Sequence, residues 1–243
     1  MKDITRTEKK YLADRSVIDS FIAGISPHMA EDLYFRQRIH NVYFDNDNNE
    51  VICHSLEKQE FKEKLRLRGY EIKGRLCPYV YLELKKKFKG VVYKRRLMLP
   101  PEEGRKVLSG TREEVYALLG ESPVGQEIRA YMERTGCYPK QYLSYERFSY
   151  RRKDDGELRI TIDTGLKSRE SSLSLGAAAE DESYWEEQKY IIEIKATSGM
   201  PLWLVHLLTS LGLYPVSFSK YGKIYLKKLS EGLHRETKQC LTA

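Results

Sequence analysis

Two short segments alternate large apolar residues with charged ones: residues 64–68, which read KLRLR, and residues 81–85, which read YLELK. A period of two is typical of a β-strand with one apolar and one charged face. The side chains of Lys64, Arg66 and Arg68 would then lie in a row and repel one another unless an anion neutralises them. Guanidinium groups bind phosphate oxygens in a forked geometry, so these strands predict a surface that binds a phosphate-rich polyanion.

The alternative for this basic row is an outer sheet face exposed to water, which is common in antiparallel sheets. Solvated faces usually carry charges of both signs, whereas positions 64, 66 and 68 are all basic. The row therefore favours binding over simple solvation.

Two carboxylates lie within strand-like apolar runs, Glu83 after residues 80–82 and Glu193 after residues 190–192. A carboxylate in such a strand either pairs with a neighbouring base or binds a hard cation such as Mg²⁺ or Mn²⁺. The spacing alone does not distinguish an ion pair from a metal site.

Further segments place charged or polar side chains on one face of a strand: Lys94 with Arg96, Tyr145 with Arg147, and Arg159 with Thr161 and Asp163. Ion pairs between neighbouring strands on an exposed face are one explanation, and such pairs contribute little to stability. A barrel could instead direct these faces inward around a ligand, with its apolar exterior covered by helices.

Composition restricts the class of partner. The 243 residues carry a formal net charge of +7 and a pI near 9.0, which favours nucleotide, polyphosphate or nucleic acid. Phosphate-binding glycine motifs and the aromatic signature of RNA-binding domains are absent, so nucleic acid is an unlikely partner. The four cysteines lack metal or disulfide spacing, and residues 201–215 are too short to span a bilayer. We therefore expect a soluble cytoplasmic protein.

The spacing of apolar residues predicts the elements that carry these faces. Helices are expected over residues 14–32, over 102–135 with breaks at Gly110, Gly120 and Pro123, and over 202–213. Strands are expected at 41–45, 64–68, 81–85, 90–98, 141–151, 158–163, 190–196 and 225–229, with a tight turn at 154–156. Residues 168–187 are rich in Ser, Ala and Glu and read as a mobile loop. The fold expected is α+β, an antiparallel barrel or strongly curved sheet with helices, in one domain over residues 1–243.

An ordered set of motifs resembles a known family: TEKKY at 7–11, EKLRLR at 63–68, YLELKK at 81–86, VYKRR at 92–96, YER at 145–147, LRIT at 158–161, EIK at 193–195 and SFSKY at 217–221. The same order occurs in VTC domains, the polyphosphate polymerase domains of the triphosphate tunnel metalloenzyme (CYTH-like) superfamily. The resemblance covers nearly the whole chain and includes PLWL at 201–204 before the last motif.

The resemblance implies an antiparallel β-barrel tunnel with flanking helices that binds a triphosphate and Mn²⁺ or Mg²⁺ on its inner wall. The candidate catalytic residues are Arg66, Arg68, Arg147, Arg159 and Glu193. The candidate phosphate ligands are Lys10, Lys64, Lys85, Lys94, Arg96, Tyr145, Lys195, Ser219 and Lys220. Glu193 is the main candidate metal ligand, together with Glu83 and Glu8.

One position departs from the pattern of tunnel triphosphatases and cyclases, which carry an N-terminal Glu-x-Glu-x-Lys motif. Arg6, Glu8 and Lys10 occupy the corresponding positions, so a basic residue replaces the first glutamate. This loss should weaken a two-metal hydrolytic site and strengthen polyphosphate binding, which favours the VTC branch.

The expected activity is therefore that of an ATP-polyphosphate phosphotransferase, which moves the γ-phosphate of ATP to a growing polyphosphate chain. Two alternatives stay open: a metal-dependent tripolyphosphatase or nucleoside triphosphatase of the same fold, and a non-catalytic binding module for polyphosphate or nucleic acid. The SPX-like and transmembrane segments of eukaryotic VTC subunits do not occur in the sequence, so we expect any membrane association to come from a partner.

Overall fold

The computed structural model describes residues 7–57, 59–89, 91–154, 157–176, 178, 181–184, 189–197 and 199–241, and for residues 232–241 the backbone alone. Arg6, and Asp155 and Gly156 of the turn expected at 154–156, lie outside the described residues.

The strands of the described chain form one antiparallel sheet. They are β1 (Thr7–Asp14), β2 (Met29–Asp45), β3 (Phe61–Ile72), β4 (Arg75–Leu76), β5 (Val80–Phe88), β6 (Val91–Leu99), β7 (Tyr138–Arg152), β8 (Arg159–Arg169), β9 (Glu182–Ser183) and β10 (Lys189–Ala196). Their spatial order is β1-β10-β8-β7-β2-β3-β5-β6, while β4 pairs with β3 and β9 with β8.

Seven helices accompany this sheet in the described residues: α1 (Arg15–Ile25), α2 (Glu50–Leu56), α3 (Pro101–Ser109), α4 (Arg112–Leu119), α5 (Pro123–Thr135), α6 (Leu202–Ser210) and α7 (Lys220–Leu241). The expected breaks after α3 and α4 are confirmed. Thr111 and Glu114 form a capping box at the start of α4, and the Ser122 side chain caps α5 immediately before Pro123. Gly136 ends α5 at φ 62°, in the left-handed region that glycine adopts without steric cost.

The convex face of the sheet is apolar and lies under helices. On one side, isoleucines of β8 and β10 such as Ile162 and Ile192 pack with Phe21 of α1 and Leu204 of α6. On the other side, leucines of β3 and β5 share a core with α3, α4 and α5. Because side chains alternate along a strand, the charged residues between these apolar ones lie on the opposite, concave face.

The concave face is strongly curved, since the two ends of the sheet approach each other. Lys10 on β1 lies near enough to Lys64 on β3 and Lys85 on β5 to help lower the pKa of both amines. However, β1 and β6 do not pair among the described residues, so of the two expected forms the strongly curved sheet is the one observed, without a closed ring of strands. The segment between α6 and α7 contacts the free edge of β1, where the Val216 amide donates to the Lys10 carbonyl at 2.8 Å. Because this segment bonds to the free edge of β1, that edge is not available to pair with β6.

Two expected elements, a helix and a strand, differ from the structure. The helix expected over 14–32 ends at Ile25, and residues from Met29 onward pair with β7 as part of β2. The strand expected at 225–229 is wrong, because these residues belong to α7. Buried Tyr221 and Ile224 show the helical spacing that prevails there.

The segment 168–187, expected to be a loop, contains regular structure at two places. Its first two residues complete β8, and Glu182–Ser183 form β9. The buried Arg169 guanidinium donates to the carbonyl oxygens of Ser172, Ser174 and Gly176 and pairs with Asp181. The mobility of this segment and the single domain over residues 1–243 stay predictions.

Helix α7 packs against the concave face over the central strands β2 and β7. Tyr221 stacks on Tyr43 with ring centroids 4.9 Å apart, and its hydroxyl donates to the buried Asp45 carboxylate at 2.9 Å. Ile224 joins the same cluster as Ile39 and Leu143. These contacts fix the start of the helix, which carries Lys220.

Replacing Tyr221 by phenylalanine should lower the free energy of unfolding by about 1.5–3 kcal/mol, because a buried carboxylate loses a donated hydrogen bond. Urea denaturation measures the change. The control is Tyr225→Phe on the same helix, which loses only a contact with the Cys53 thiol at 3.3 Å. Equal stability of Y221F and Y225F would contradict the anchoring role of the Tyr221–Asp45 bond.

Candidate functional site

The concave face, called the tunnel face below, collects the residues that the sequence singled out. Residues opposite each other on paired strands share a face, so the strand register places them together. The tunnel face carries Glu8 and Lys10 on β1, Lys64, Arg66 and Arg68 on β3, Glu83 and Lys85 on β5, Lys94 and Arg96 on β6, Tyr145 and Arg147 on β7, Arg159, Thr161 and Asp163 on β8, and Glu193 and Lys195 on β10. Ser219 and Lys220 reach it from the start of α7 through contacts with Lys64 and Asp163.

Glu83 is the centre of a cluster of cations and is only 1% exposed. One carboxylate oxygen lies 2.8 Å from Arg66 Nη2, and the other lies 2.6 Å from both Lys94 Nζ and Arg96 Nη2. Burial opposes ionisation of this carboxyl, but Arg66, Arg68 and Lys94 outweigh it and hold the pKa of Glu83 far below its usual range. The ion-pair interpretation is thus the one that the structure shows, and a metal role for Glu83 stays a prediction.

Asp163 forms a second such centre and is fully buried. The Arg147 guanidinium donates to both of its oxygens, at 2.6 and 2.8 Å, and Lys220 Nζ donates to one of them at 2.6 Å. Burial opposes ionisation here too, yet these two cations lower the pKa of Asp163. Alternation along the strand predicts that Asp163 lies on this face. Its role in the site has no local sequence signal, because Lys220, which it binds, is 57 positions away.

Glu193 and its neighbours form an alternating patch at the β1–β10 pair. Glu8 lies opposite Lys195, and Lys10 opposite Glu193. Lys195 Nζ is 2.5 Å from Glu193 and 3.9 Å from Glu8, while Lys10 Nζ is 3.6 Å from Glu8. Burial opposes ionisation of Glu193, but Lys195, Arg147 and Lys10 lower its pKa well below the usual range.

Arg159 lies next to this patch and is held by Asp32, a residue of β2 that no local sequence pattern indicates. Its Nη2 binds Asp32 at 2.9 Å, and its buried Nε has no hydrogen-bond partner among the described residues. The buried hydroxyls of Thr161 and Ser149, which pair across β8 and β7, also have no partner in the described chain. Buried polar atoms of this kind generally bind water or ligand, so this part of the tunnel face has free hydrogen-bonding capacity.

Two tyrosine hydroxyls accept hydrogen bonds from the arginines of β3. The Tyr43 hydroxyl accepts a hydrogen bond from Arg66 Nη1 at 3.1 Å, and the Tyr145 hydroxyl accepts one from Arg68 Nη2 at 3.3 Å. Tyr43 lies within the strand expected at residues 41–45, where no local pattern indicates a role for it. Burial would raise the pKa of Tyr43, but Arg66, Arg68 and Lys64 more than offset it and lower the pKa to about 8.

Lys64 also has an altered pKa. Its Nζ donates to Ser219 Oγ at 3.2 Å, and no carboxylate of the described residues lies within 4 Å of it. Burial chiefly, with the nearby amines of Lys85 and Lys10, lowers the pKa of Lys64 to about 8, while Tyr43 opposes the shift.

These two pKa values predict a pH dependence of anion binding. As pH rises through about 8, Lys64 loses its charge and Tyr43 gains a negative one, and both changes disfavour a bound anion. Tripolyphosphate affinity should therefore fall by about tenfold per pH unit above about 8 for each group that must be reprotonated. Isothermal titration calorimetry from pH 7 to 9.5 measures this.

Lys64→Arg keeps the positive charge and should give a shallower fall, and Tyr43→Phe removes the other titrating group. The titration of the ligand itself is common to all three proteins. Identical slopes in the wild type and both variants would contradict the assignment to Lys64 and Tyr43.

The donor set on β1 and β10 fits a divalent metal better than Glu83 does. Glu8 and Glu193 supply hard carboxylate oxygens around one point, and the unpartnered Thr161 hydroxyl lies beside Glu193 in the strand register. Among the described residues, no group of three or more His, Cys, Asp and Glu side chains is arranged to hold a metal ion by itself. A metal there would depend on phosphate or water oxygens for its remaining ligands.

The antiparallel sheet, the helices on its convex side and the charged concave face define an α+β fold of the CYTH-like tunnel type. A candidate adenylate cyclase from Bacillus halodurans shares this fold, with a TM-score of 0.52 and 16% identity over 87% of this chain and 92% of that chain. A protein from Pyrococcus horikoshii is similar at a TM-score of 0.48 and 13% identity, over 92% of this chain and 99% of that one.

The VTC domain family model matches residues 5–227, so the chain belongs to the VTC domain family and the resemblance read from its motifs is confirmed. A search of curated proteins finds no match. No helix of the described residues combines the length and apolar character needed to cross a membrane. Family membership suggests phosphoryl-transfer chemistry of the triphosphate-tunnel type.

Proposed function

We propose that the protein is an inorganic polyphosphate polymerase that transfers the γ-phosphate of ATP to a growing polyphosphate chain on the tunnel face. The observation that carries this proposal is an excess of cations on the concave tunnel face. Lys64 and Lys85 have no carboxylate within 4 Å among the described residues, and they lie beside Lys10 and Arg66. A polyanion is the natural counter-ion of such a surface.

The chemistry requires positioning and charge neutralisation rather than covalent catalysis. A terminal phosphate oxygen of the chain attacks the γ-phosphorus, a new P–O–P bond forms, and the bond to the β-phosphate breaks to release ADP. The attacking oxygen is already ionised, so no general base is needed. The three remaining γ-oxygens are neutralised by the arginines of the tunnel face, namely Arg66, Arg68, Arg147 and Arg159.

The lysines and hydroxyls have the complementary role of holding successive phosphates in line. Lys85 is exposed on the tunnel face, and Lys220 is fixed against Asp163. Lys10, whose Nζ donates to the Phe218 carbonyl at 3.0 Å, lies opposite Glu193. Other candidate phosphate ligands are Lys94, Arg96, Tyr145, Lys195 and Ser219.

Glu193 and Glu8 would hold Mn²⁺ or Mg²⁺. The metal would supply further neutralisation of the phosphate charge. Among the described residues this leaves Glu83 and Asp163 as fixed counter-ions of the tunnel arginines.

Incubation of the protein with ATP and Mn²⁺, and separately with ATP and Mg²⁺, tests the proposal through its products. A phosphate polymer that acid hydrolyses to orthophosphate, together with ADP, supports polyphosphate synthesis. Free phosphate without polymer supports the hydrolase alternative, and cyclic nucleotide with pyrophosphate would instead match the cyclase description of the Bacillus halodurans protein. Salt-sensitive binding of ATP without consumption would support a binding module.

A further inference from the structure

The alternating patch at the β1–β10 pair places a lysine ammonium where a divalent cation would bind. Lys195 Nζ lies between two carboxylates, 2.5 Å from Glu193 and 3.9 Å from Glu8. The ammonium group is a compact point charge. In this arrangement its single positive charge lies mainly against Glu193 and is shared with Glu8, which Lys10 also approaches.

The other lysine of the patch, Lys10, is held differently. Lys10 Nζ donates to the Phe218 carbonyl at 3.0 Å and is 3.6 Å from Glu8, so a backbone contact retains it on the wall. Among the described residues, the contacts of the Lys195 amine are instead the two carboxylates. Lys195 is therefore the cation that can leave the patch without breaking a bond to the backbone.

We propose that Lys195 is an exchangeable counter-ion, which pairs with Glu193 and Glu8 in the ligand-free protein and moves to a phosphate oxygen when a divalent cation takes its place. The inference rests on the metal site of the proposed function and adds a role for Lys195 in coupling metal binding to phosphate binding. It also explains how one residue can serve as a phosphate ligand while its amine is engaged by carboxylates.

The exchange has two thermodynamic consequences. Divalent metal alone binds weakly, because it must displace the ammonium from the Glu8–Glu193 pair. Lys195 contributes little to phosphate binding without metal and much more with it, because only then is its amine free. By linkage, metal and phosphate then strengthen each other's binding by the same factor, typically about 5- to 150-fold.

The experiment measures Mn²⁺ binding without phosphate, and tripolyphosphate binding with and without saturating Mn²⁺, for the wild type and Lys195→Met. In K195M, Mn²⁺ alone should bind about tenfold tighter than in the wild type. Metal-free tripolyphosphate affinity should stay within about threefold of the wild type, whereas the affinity with Mn²⁺ should fall by about tenfold. Electron paramagnetic resonance of free Mn²⁺ and calorimetry provide the binding constants without any activity assay.

Lys85→Met is the matched control. Lys85 is near enough to Glu8 and Glu193 for both to affect its pKa, but it lies more than 4 Å from every carboxylate of the described residues. K85M removes the same charge from the same space, so it should weaken tripolyphosphate binding with and without metal and tighten Mn²⁺ binding less than K195M does.

The exchange is overturned if K195M binds Mn²⁺ no more tightly than K85M, or if it loses tripolyphosphate affinity equally with and without Mn²⁺. Glu193→Gln separates this failure from that of the proposed metal site. Unchanged Mn²⁺ affinity in E193Q would remove the metal site itself, together with the exchange. Weakened Mn²⁺ affinity in E193Q with an unresponsive K195M would remove the exchange alone, and the product assay with ATP tests polymer synthesis independently.

Discussion

Replacing Arg66 by alanine is expected to lower the rate of ATP-dependent polymer synthesis by about 10³-fold, the order of magnitude found for arginines that stabilise transferring phosphoryl groups. The Arg66 guanidinium lies on the tunnel face, with Nη1 bound to the Tyr43 hydroxyl and Nη2 to Glu83. These two contacts fix its orientation before a substrate arrives. The rate of ADP release under saturating ATP measures the loss.

The fold should survive this substitution. Glu83 keeps Lys94 and Arg96, each 2.6 Å away, so its buried charge stays neutralised. The matched control is Arg95→Ala, which removes the same charge from the opposite face of β6, where Arg95 binds Glu127 at 3.0 Å. Full activity in folded R66A, or an equal loss in R95A, would contradict a role for Arg66 in the transfer step.

Local alternation was sufficient to predict most strands of the tunnel face, but β1, which carries Glu8 and Lys10, was not among the expected strands. Residues 64–68 and 81–85 alternate strictly, and the apolar members Leu65, Leu67, Leu82 and Leu84 are all buried under helices. The strand predicted at residues 225–229 is a helix. The sequence YLKKL is compatible with either structure, and the buried face of this helix is formed by Tyr221 and Ile224, which precede that sequence. The start of β2 was missed because residues 29–36 acquire their strand structure by pairing with β7, more than a hundred positions away.

The membership of the candidate site was predictable, but its pairing was not. The strand register brings the predicted cations of the strands to one face, because they lie at alternating positions. Lys220 reaches the same face from helix α7. Which carboxylate neutralises which cation depends on sheet order and curvature. Asp163 meets Lys220 of α7, and Asp32 meets Arg159 through a bulged part of β2. No local pattern carries that information.

The resulting tunnel face contains cations of two kinds. Arg66, Arg96 and Arg147 are bound by buried carboxylates, whereas Lys64 and Lys85 have no such partner among the described residues. The bound cations keep their geometry without ligand, and the spare ones supply the net charge that attracts it. The buried carboxylates should therefore be indispensable to the empty protein and less important once phosphate is bound.

Glu83→Gln tests this division directly. The amide keeps the shape of the side chain but leaves Arg66, Lys94 and Arg96 without the charge that neutralises them. Breaking a buried ion pair from one side typically costs about 3–5 kcal/mol, and we expect about 3 kcal/mol because Lys94 and Arg96 are partly exposed. Urea denaturation without ligand measures this loss in the free energy of unfolding.

Tripolyphosphate should then stabilise E83Q by more than it stabilises the wild type, because its charges replace the missing carboxylate among the same cations. The control is Glu127→Gln on the convex side, where Glu127 is partly exposed and bridges Lys86 at 2.7 Å and Arg95 at 3.0 Å. E127Q should lose no more than about 1 kcal/mol, and tripolyphosphate should stabilise it as it does the wild type. If E83Q is as stable as E127Q, or gains no extra stability from tripolyphosphate, Glu83 is not the counter-ion that holds the empty tunnel face together.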